Sequence, residues 1–513
     1  MNKKYYRKLS KLLIVKLASY VRRLRNPQKY KSIDFFCDYL GRDIIRLNEQ
    51  GYANKDIIIT QVCTWDSKAD YHSTYFPKKC ACLISNKSDG IEAVRKGAVI
   101  LITKDEIPNC PCLITDNPLF IYAKWCRYYR DLQTKVSVIA VSGSIGKTTI
   151  KNMIGLVSKQ KYVTSYSKVN WNTRMSVGFA VQHIPNNAEK LIQEIHEGNP
   201  DETQYISEML RPDIFVVTPI DKSHIARFGK MEKIEEEILS ISKHMSEEGV
   251  VIVNVDDFNR YDLLNDRRVV TISTQNRNVD FFADQIKMEP DGLSFSVTIR
   301  QNSLTYHVKL KNLFAPHNAL CALYAFAAGY VIGVEPLEII KGLTEFETVG
   351  FRQNVIKTHD GIMVYADCYN AVGRSMKSAI NTANQMSVRG KLIAVLGDIE
   401  EVGDESRSMH REVIDCVNNS NFEALITIGE KMKEATLGFE RRDSLAIINC
   451  DTIEEIVNIL KTVIESGDLV LFKSSHVYHL EKCIKALWPH EYREIKQSVK
   501  KEDEKWTMKN MFY

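Results

Sequence analysis

The sequence lacks a large excess of either charge and has few glycines or prolines for its length. Lys and Arg total 69 against 64 Asp and Glu, so the net charge of +5 gives no argument for a nucleic-acid partner. The 24 glycines and 13 prolines form no long linker, internal repeat or low-complexity block. What remains is an ordinary globular composition in a chain of 513 residues, which is long enough for about three domains.

A regular cysteine framework is also missing. Twelve cysteines lie between Cys37 and Cys483, and a chain this long does not need covalent cross-links, so we expect reduced thiols in a cytoplasmic protein. The two Cys-x-Cys pairs, at residues 80–82 and 110–112, are the one arrangement that resembles a zinc site. Zinc sites usually separate paired cysteines by two or more residues, so burial as small apolar side chains is the favoured interpretation.

Residues 1–31 carry 11 Lys or Arg and no acid. Their apolar run, LLIVKLASYV, is interrupted by Lys16, is too short to span a bilayer and is followed by no clear cleavage site, so we expect no secretory signal. The pattern predicts a basic amphipathic helix that contacts the inner membrane face peripherally or docks on a partner. A solvated N-terminal extension is the alternative.

Short apolar runs alternate with helical patterns through the rest of the chain, which predicts an α/β protein. Nearly continuous apolar runs such as DIFVVTPI indicate strands buried on both faces of a parallel sheet. A β-hairpin is predicted within residues 281–312. The predicted units are a basic extension (1–31), a small α/β N-terminal domain (32–134), a central doubly wound domain (135–347), a second doubly wound domain (348–495) and a charged tail (496–513).

Residues 136–150, VSVIAVSGSIGKTTI, predict a strand, a small-residue loop and a helix in succession. Such a loop binds a polyphosphate through backbone N–H groups and the helix N-terminus. Lys147 would neutralise the β- and γ-phosphates, and the Thr148 hydroxyl would ligate Mg²⁺. Val141 replaces a glycine of the general motif, so a chance Gly-Lys-Thr was the alternative. The predicted ATP-binding loop is Gly143, Ser144, Ile145, Gly146, Lys147, Thr148 and Thr149.

Two further side chains lie on or just after the strands that the runs KLIQEIHE and DIFVVTPI predict in the central domain. Glu194 lies in KLIQEIHEG and His224 follows DIFVVTPI, so both would face the edge of the sheet where ligands bind. Separately they are ordinary surface or helix-capping residues. Together with Thr148 they predict a site for divalent metal ions.

An ordered series of motifs resembles the Mur ligase family, the ATP-dependent amide ligases of peptidoglycan precursor synthesis, over about residues 55–490. The motifs are GSIGKTT (143–149), NWNT (170–173), RPD (211–213), HIARFG (224–229), VNVDD (253–257), PHN (316–318), GFRQ (350–353), ADCYNAVGRSM (366–376), LGDIEEVGDES (396–406) and LFKSSHVYHLE (471–481).

The resemblance implies an N-terminal domain that holds a nucleotide-sugar substrate, a central ATPase domain and a C-terminal Rossmann-like domain that brings in the amino substrate. ATP, with Mg²⁺, would phosphorylate a carboxylate, and an amine from an amino acid or dipeptide would attack the acyl phosphate. Carried over onto matching positions, Lys147, Glu194 and His224 would be catalytic. Asn318 would contact adenine and Arg352 and Asp367 the nucleotide, while the substrate residues would be Asn170, Asn172, Tyr369 and Asn370.

One departure from the family affects the metal site. Members commonly carry a lysine, sometimes carbamylated, about fourteen residues after the histidine, and this chain has Ile238 there. Three alternatives are open: a neighbouring carboxylate such as Glu237 replaces it, the second metal ion is held differently, or the activity is reduced. The resemblance implies a ligase that acts on a peptidoglycan precursor or a related cell-envelope conjugate. The alternatives are a ligase of a non-peptidoglycan polymer or metabolite, and a catalytically weak nucleotide-binding scaffold of the same fold.

Overall fold

The structure is a computed structural model that describes residues 31–59, 61–65, 79–84, 86–167, 171–222, 225–348, 350–400 and 402–497. Asn170, His224, nearly all of the basic N-terminal extension and most of the charged tail lie outside these residues, so what the sequence predicts for them stays a prediction. Within the described part of the chain, no helix combines the length and apolar character needed to cross a bilayer.

The N-terminal sheet has five strands in the order β1-β5-β4-β3-β2, all parallel except β1. The apolar run DIIIT, residues 56–60, is one of those that predict a strand, and in its described part it forms an isolated bridge between Ser32 and Ile58. Gln182 of the next domain exchanges hydrogen bonds of 2.8 Å with both backbone groups of Val62, which ties this sheet to the centre of the molecule. The elements are β1 Arg46–Leu47, β2 Val62–Trp65, β3 Cys80–Ile84, β4 Ala98–Thr103, β5 Cys112–Ile114, α1 Ile33–Leu40, α2 Glu49–Ala53, α3 Lys87–Lys96 and α4 Pro118–Asp131.

The central sheet has nine strands in the order β14-β13-β12-β11-β10-β9-β6-β8-β7. Every neighbouring pair from β7 through β6 to β12 in this order is parallel. The pairs β12–β13 and β13–β14 are antiparallel. The hairpin predicted within 281–312 is therefore three strands that extend the sheet. The strands are β6 Ser137–Ser142, β7 Thr164–Tyr166, β8 Lys190–Glu194, β9 Ile214–Val217, β10 Val250–Asn254, β11 Arg268–Ser273, β12 Phe281–Glu289, β13 Gly292–Ile299 and β14 Leu304–Lys311.

Helices cover the central sheet, and α10 and α5 pack side by side in an apolar cluster with β6 and β9. The apolar strands of this sheet are almost fully buried, as expected for strands covered on both faces. The helices are α5 Lys147–Lys159, α6 Arg174–Gln182, α7 Glu202–Leu210, α8 Ile225–Phe228, α9 Met231–Leu239, α10 His317–Val331 and α11 Pro336–Thr344.

The C-terminal sheet has six strands in the order β15-β16-β20-β17-β18-β19, and β15 alone is antiparallel to its neighbour. Three parallel-rich sheets therefore confirm the predicted α/β class with a doubly wound centre. We propose the predicted ranges as the domains, because each sheet lies inside one of them. The elements are β15 Asn354–Lys357, β16 Met363–Asp367, β17 Leu392–Gly397, β18 Ala424–Ile428, β19 Ala446–Cys450, β20 Leu469–Lys473, α12 Gly373–Gln385, α13 Ser406–Asn418, α14 Glu430–Thr436, α15 Ile453–Val463 and α16 Glu481–Leu487.

All twelve cysteines are free thiols. The two Cys-x-Cys pairs lie in the apolar cluster of the N-terminal sheet. Burial raises the pKa of the Cys82, Cys110 and Cys112 thiols. Because zinc binds the thiolate form, this environment favours the interpretation of these cysteines as small apolar side chains.

Candidate functional site

Two glycines shape the loop between β6 and α5. Gly143 and Gly146 have φ angles of +140° and +83°, which favour glycine. A Cβ atom at position 143 would lie 2.3 Å from the Thr218 hydroxyl oxygen, so a larger residue does not fit there. The loop therefore lies directly against the chain that leaves β9, at the edge of the sheet where ligands bind in parallel α/β folds.

Two loop N–H groups anchor the loop to this chain. The amides of Ser144 and Ile145 donate to the Pro219 carbonyl over 2.9 and 3.1 Å. The N–H groups in the first turn of α5, around Thr148 and Thr149, have no acceptor within their own helix. These groups line the cleft and give it a partial positive charge suited to phosphate.

Lys147 is held by a buried carboxylate. Its Nζ lies 2.8 and 2.9 Å from the two oxygens of Glu197 and also donates to the Gly143 carbonyl. The Glu197 side chain is 1% exposed and that of Lys147 is 12% exposed. The cation expected to meet phosphate is thus paired inside the protein.

Glu194, at the end of β8, joins the first turn of α5. One carboxylate oxygen accepts from the Thr148 hydroxyl and the other from the Asn172 amide, both over 2.9 Å. The structure therefore brings two of the three predicted metal ligands into contact. Asn172, expected to contact substrate, orients Glu194. A hydroxyl and a carboxylate are hard oxygen donors that suit Mg²⁺.

A second part of the site lies around Asn318. Its amide nitrogen donates to the Gln353 side-chain oxygen over 3.0 Å. Among the described residues, the buried Oδ1 atoms of Asn318 and Asn152 have no hydrogen-bond partner. Both side chains line one small cavity together with Thr148. These two oxygens are acceptors that the donor group of a bound molecule, water included, would satisfy.

The C-terminal domain contributes an aromatic stack and an ion pair. The Arg352 guanidinium lies 3.8 Å from the centre of the Tyr369 ring. Asp367 lies 2.8 Å from the Lys473 ammonium and accepts from the Gln353 backbone N–H over 3.2 Å. Asp367, expected to meet the nucleotide, is thus engaged at both oxygens within the protein.

The phosphate loop, Glu194, Glu197, Arg352 and Asp367 line one cleft of about 370 Å³ between the central and C-terminal domains, and the cavity of Asn318 and Asn152 adjoins it at Thr148. Tyr369 and Asn370, predicted substrate residues, line it from the C-terminal side. His317 also lines the cleft, and burial lowers its pKa to about 4, so its imidazole is neutral at physiological pH. The Arg374–Asp257 ion pair, at 2.8 Å, joins the two domains beside the cleft.

The carboxylate of Glu237, one of the alternatives for the missing lysine, is engaged elsewhere in the structure. Glu237 accepts hydrogen bonds from the backbone N–H groups of Asp201 and Thr203, so it caps α7. Ile238 is fully buried in an apolar cluster. The carboxylate that does reach the phosphate loop, Glu197, was missed by the sequence analysis. Its signal was its position three residues after Glu194, the last residue of β8, at the same edge of the sheet.

Known proteins resemble this chain in sequence and in structure. Two family models match it, the Mur ligase middle domain over residues 141–327 and the Mur ligase glutamate ligase domain over residues 351–476. The UDP-N-acetylmuramoyl-tripeptide–D-alanyl-D-alanine ligase of Bacillus subtilis is 28% identical over 445 residues, which are 84% of this chain and 93% of the relative.

Solved structures share the fold. MurF from Acinetobacter baumannii superposes with a TM-score of 0.76 at 21% identity, covering 89% of this chain and 98% of its own. The MurF ligase of Thermotoga maritima, in complex with ADP, gives 0.69 at 21% identity and covers 82% and 96%. The three-domain arrangement of these ligases is therefore also that of this chain.

Proposed function

Because the chain belongs to the Mur ligase family, we propose that it is an ATP-dependent ligase that joins a carboxylate to an amine in a peptidoglycan precursor. The observation that carries this proposal is the contact of the phosphate-loop residue Thr148 with Glu194 in a cleft between two domains. The half of the cleft beside the phosphate loop suits a polyphosphate and a metal ion. The half beside Tyr369 and Asn370 has room for a second substrate.

The proposed chemistry explains why a phosphate loop serves an amide ligase. A carboxylate is a poor electrophile because its charge is delocalised. Transfer of the terminal phosphoryl group to one carboxylate oxygen releases ADP. Attack of the amine on the acyl carbon then expels phosphate, and the nitrogen loses a proton. Lys147 and the first turn of α5 would hold the phosphates, and bound Mg²⁺, held by Thr148 and Glu194 with His224, would neutralise their charge.

The unpaired oxygens predict which base the site prefers. Asn318 and Asn152 present acceptors, which fit the 6-amino donor of adenine and oppose the 6-oxo acceptor of guanine. We expect ADP to bind at least about tenfold more tightly than GDP, since one satisfied buried hydrogen bond contributes about 1–1.5 kcal/mol. Asn318→Leu should remove most of this preference in calorimetric titrations. Asn278→Leu, at an exposed position of the same domain, is the control. Equal affinity of the unmodified protein for both nucleotides would contradict the adenine assignment.

The acyl acceptor and amine are proposed from the B. subtilis relative's name. We expect phosphate release from ATP to rise when UDP-N-acetylmuramoyl-tripeptide and D-alanyl-D-alanine are supplied together, and neither alone should be sufficient. Mass spectrometry of the product should show one new amide. If the pair fails and another acid and amine succeed, the chain is a ligase of a different conjugate. We place the protein in the cytoplasm, where nucleotide precursors are made, and membrane contact through residues 1–31 stays a prediction.

One observation favours the scaffold alternative. The Lys147 ammonium is occupied by the buried carboxylate of Glu197, so a nucleotide has to compete with an internal anion. A scaffold of this kind would bind ADP weakly and release no phosphate with any acceptor. Stimulated phosphate release therefore separates the two functions.

A further inference from the structure

The Glu197 carboxylate has no role in the proposed reaction. Its carboxylate is almost fully buried. Within the described part of the chain, one lysine or arginine side chain lies within 4.0 Å of it, and that side chain is Lys147. The His196 ring lies farther away, 4.0 Å from Oε2. The buried charge of Glu197 thus depends on the lysine that the proposed function assigns to phosphate.

Nucleotide binding would disrupt the ion pair between Lys147 and Glu197. If Lys147 turns to the β- and γ-phosphates, Glu197 loses its cation while more negative charge enters the same cleft. A buried carboxylate without a partner is strongly unfavourable. The charge then requires a new cation, a proton or a movement of the side chain into water.

The surroundings of Glu197 favour a divalent cation. Glu194 is the last residue of β8 and Glu197 lies three residues beyond it, and they contact the adjacent residues Thr148 and Lys147 in the first turn of α5. The set offers two carboxylates and a hydroxyl, which are hard oxygen donors. All of these side chains line the same cleft as Lys147, and Thr148 also lines the adjoining cavity, where the buried Oδ1 atoms of Asn152 and Asn318 are without a partner.

We propose that, in the nucleotide-bound protein, Glu197 ligates a divalent cation beside Glu194 while Lys147 exchanges this carboxylate for phosphate. Glu197 would then supply the acidic ligand that neither Ile238 nor the helix-capping Glu237 provides. This inference rests on the proposed function, since it requires nucleotide to draw Lys147 away.

The test is Mn²⁺ binding to the full-length protein, measured by electron paramagnetic resonance with a non-hydrolysable ATP analogue. Only the nucleotide-dependent increase is counted, because ligand atoms of His476, His479 and Glu481 lie within 4.8 Å of one another and offer a separate place for Mn²⁺. Glu197→Gln should weaken the nucleotide-dependent Mn²⁺ binding about tenfold or more. Glu202→Gln, at a buried acid that accepts from Asn199 outside the cleft, is the matched control and should leave it unchanged.

Nucleotide affinity in EDTA separates this inference from the proposed function. Glu197→Gln frees Lys147, so ADP should bind there as tightly as to the unmodified protein or more tightly. Unchanged Mn²⁺ binding in Glu197→Gln would overturn the inference and leave the proposed function intact. Proton uptake on nucleotide binding, seen as a buffer-dependent heat, would also overturn it, since Glu197 would then be neutralised by a proton. Absence of nucleotide binding in the unmodified protein would instead remove the proposed function.

Glu197→Asp keeps the charge and provides a second variant if Glu197→Gln unfolds. Aspartate is shorter by one methylene, so it can stay paired with Lys147 in the absence of nucleotide yet reach a cation less well. We expect its melting temperature to stay close to that of the unmodified protein and its Mn²⁺ affinity to lie between those of the other two proteins. Mn²⁺ affinity equal to that of Glu197→Gln, in a folded protein, would support the inference; affinity equal to the unmodified protein would oppose it.

Discussion

Lys147→Ala should lower the rate of ATP turnover by about 10²–10³-fold, because it removes the principal positive charge that the loop offers to the transferred phosphoryl group. It should also destabilise the protein. Lys147 neutralises Glu197, and removing one partner of a buried ion pair typically costs about 3–5 kcal/mol. The single variant is therefore ambiguous, since lost activity would combine a chemical and a structural effect.

The double variant Lys147→Ala, Glu197→Gln resolves this ambiguity. Removing both charges leaves no buried unpaired ion, so urea unfolding should show most of the stability restored while turnover stays low. Lys159→Ala, at the far end of α5, is the control and should change neither quantity appreciably. Turnover that persists in the folded double variant would show that the phosphoryl group is transferred elsewhere.

The position of the phosphate loop was predictable because each of its parts has a local signal. An apolar strand, two glycines and a helical period follow one another within fifteen residues, and the structure has β6, the loop and α5 in that order. Glu194 was found by the rule that ligands gather where parallel strands end. Its contact with Thr148 is consistent with that rule.

Glu197 was missed because the run KLIQEIHE was taken wholly as a strand, whereas β8 ends at Glu194. A strand would have continued past the loop, but the chain turns and directs Glu197 back to Lys147. Asn152 was missed for a different reason. It lies one helical turn after Thr148, where no local pattern distinguishes it. The structure shows that its Oδ1 atom lines a cavity between the domains and has no hydrogen-bond partner.

The pairing of Lys473 with Asp367 depends on long-range topology. β16 and β20 are adjacent in the C-terminal sheet although more than a hundred residues separate them, so no local pattern brings the two side chains together. A chain of hydrogen bonds connects this ion pair to Asn318 of the central domain. Asp367 accepts from the backbone of Gln353, and the side chain of Gln353 accepts from Asn318.

Lys473→Met should lower the free energy of unfolding by about 3–5 kcal/mol, because it leaves the Asp367 carboxylate largely buried without its cation. ADP affinity should fall as well. A displaced Asp367 releases the Gln353 backbone, and the Asn318 amide then loses the partner that orients it in its cavity. Urea unfolding and calorimetric titration measure the two effects. Lys377→Met, at a half-exposed position on α12, is the matched control.

A double variant, Lys473→Met with Asp367→Asn, decides what Asp367 does. Asparagine removes the buried charge but keeps an oxygen that accepts from the Gln353 N–H, so the chain of contacts to Asn318 can persist. If Asp367 acts by positioning Gln353, the double variant should regain much of the stability and bind ADP within about threefold of the unmodified protein, a difference of less than 1 kcal/mol. If the carboxylate itself meets the nucleotide, as the family resemblance implies, ADP affinity should stay at least about tenfold weaker although the stability recovers. The existing contacts of both Asp367 oxygens favour the positioning role.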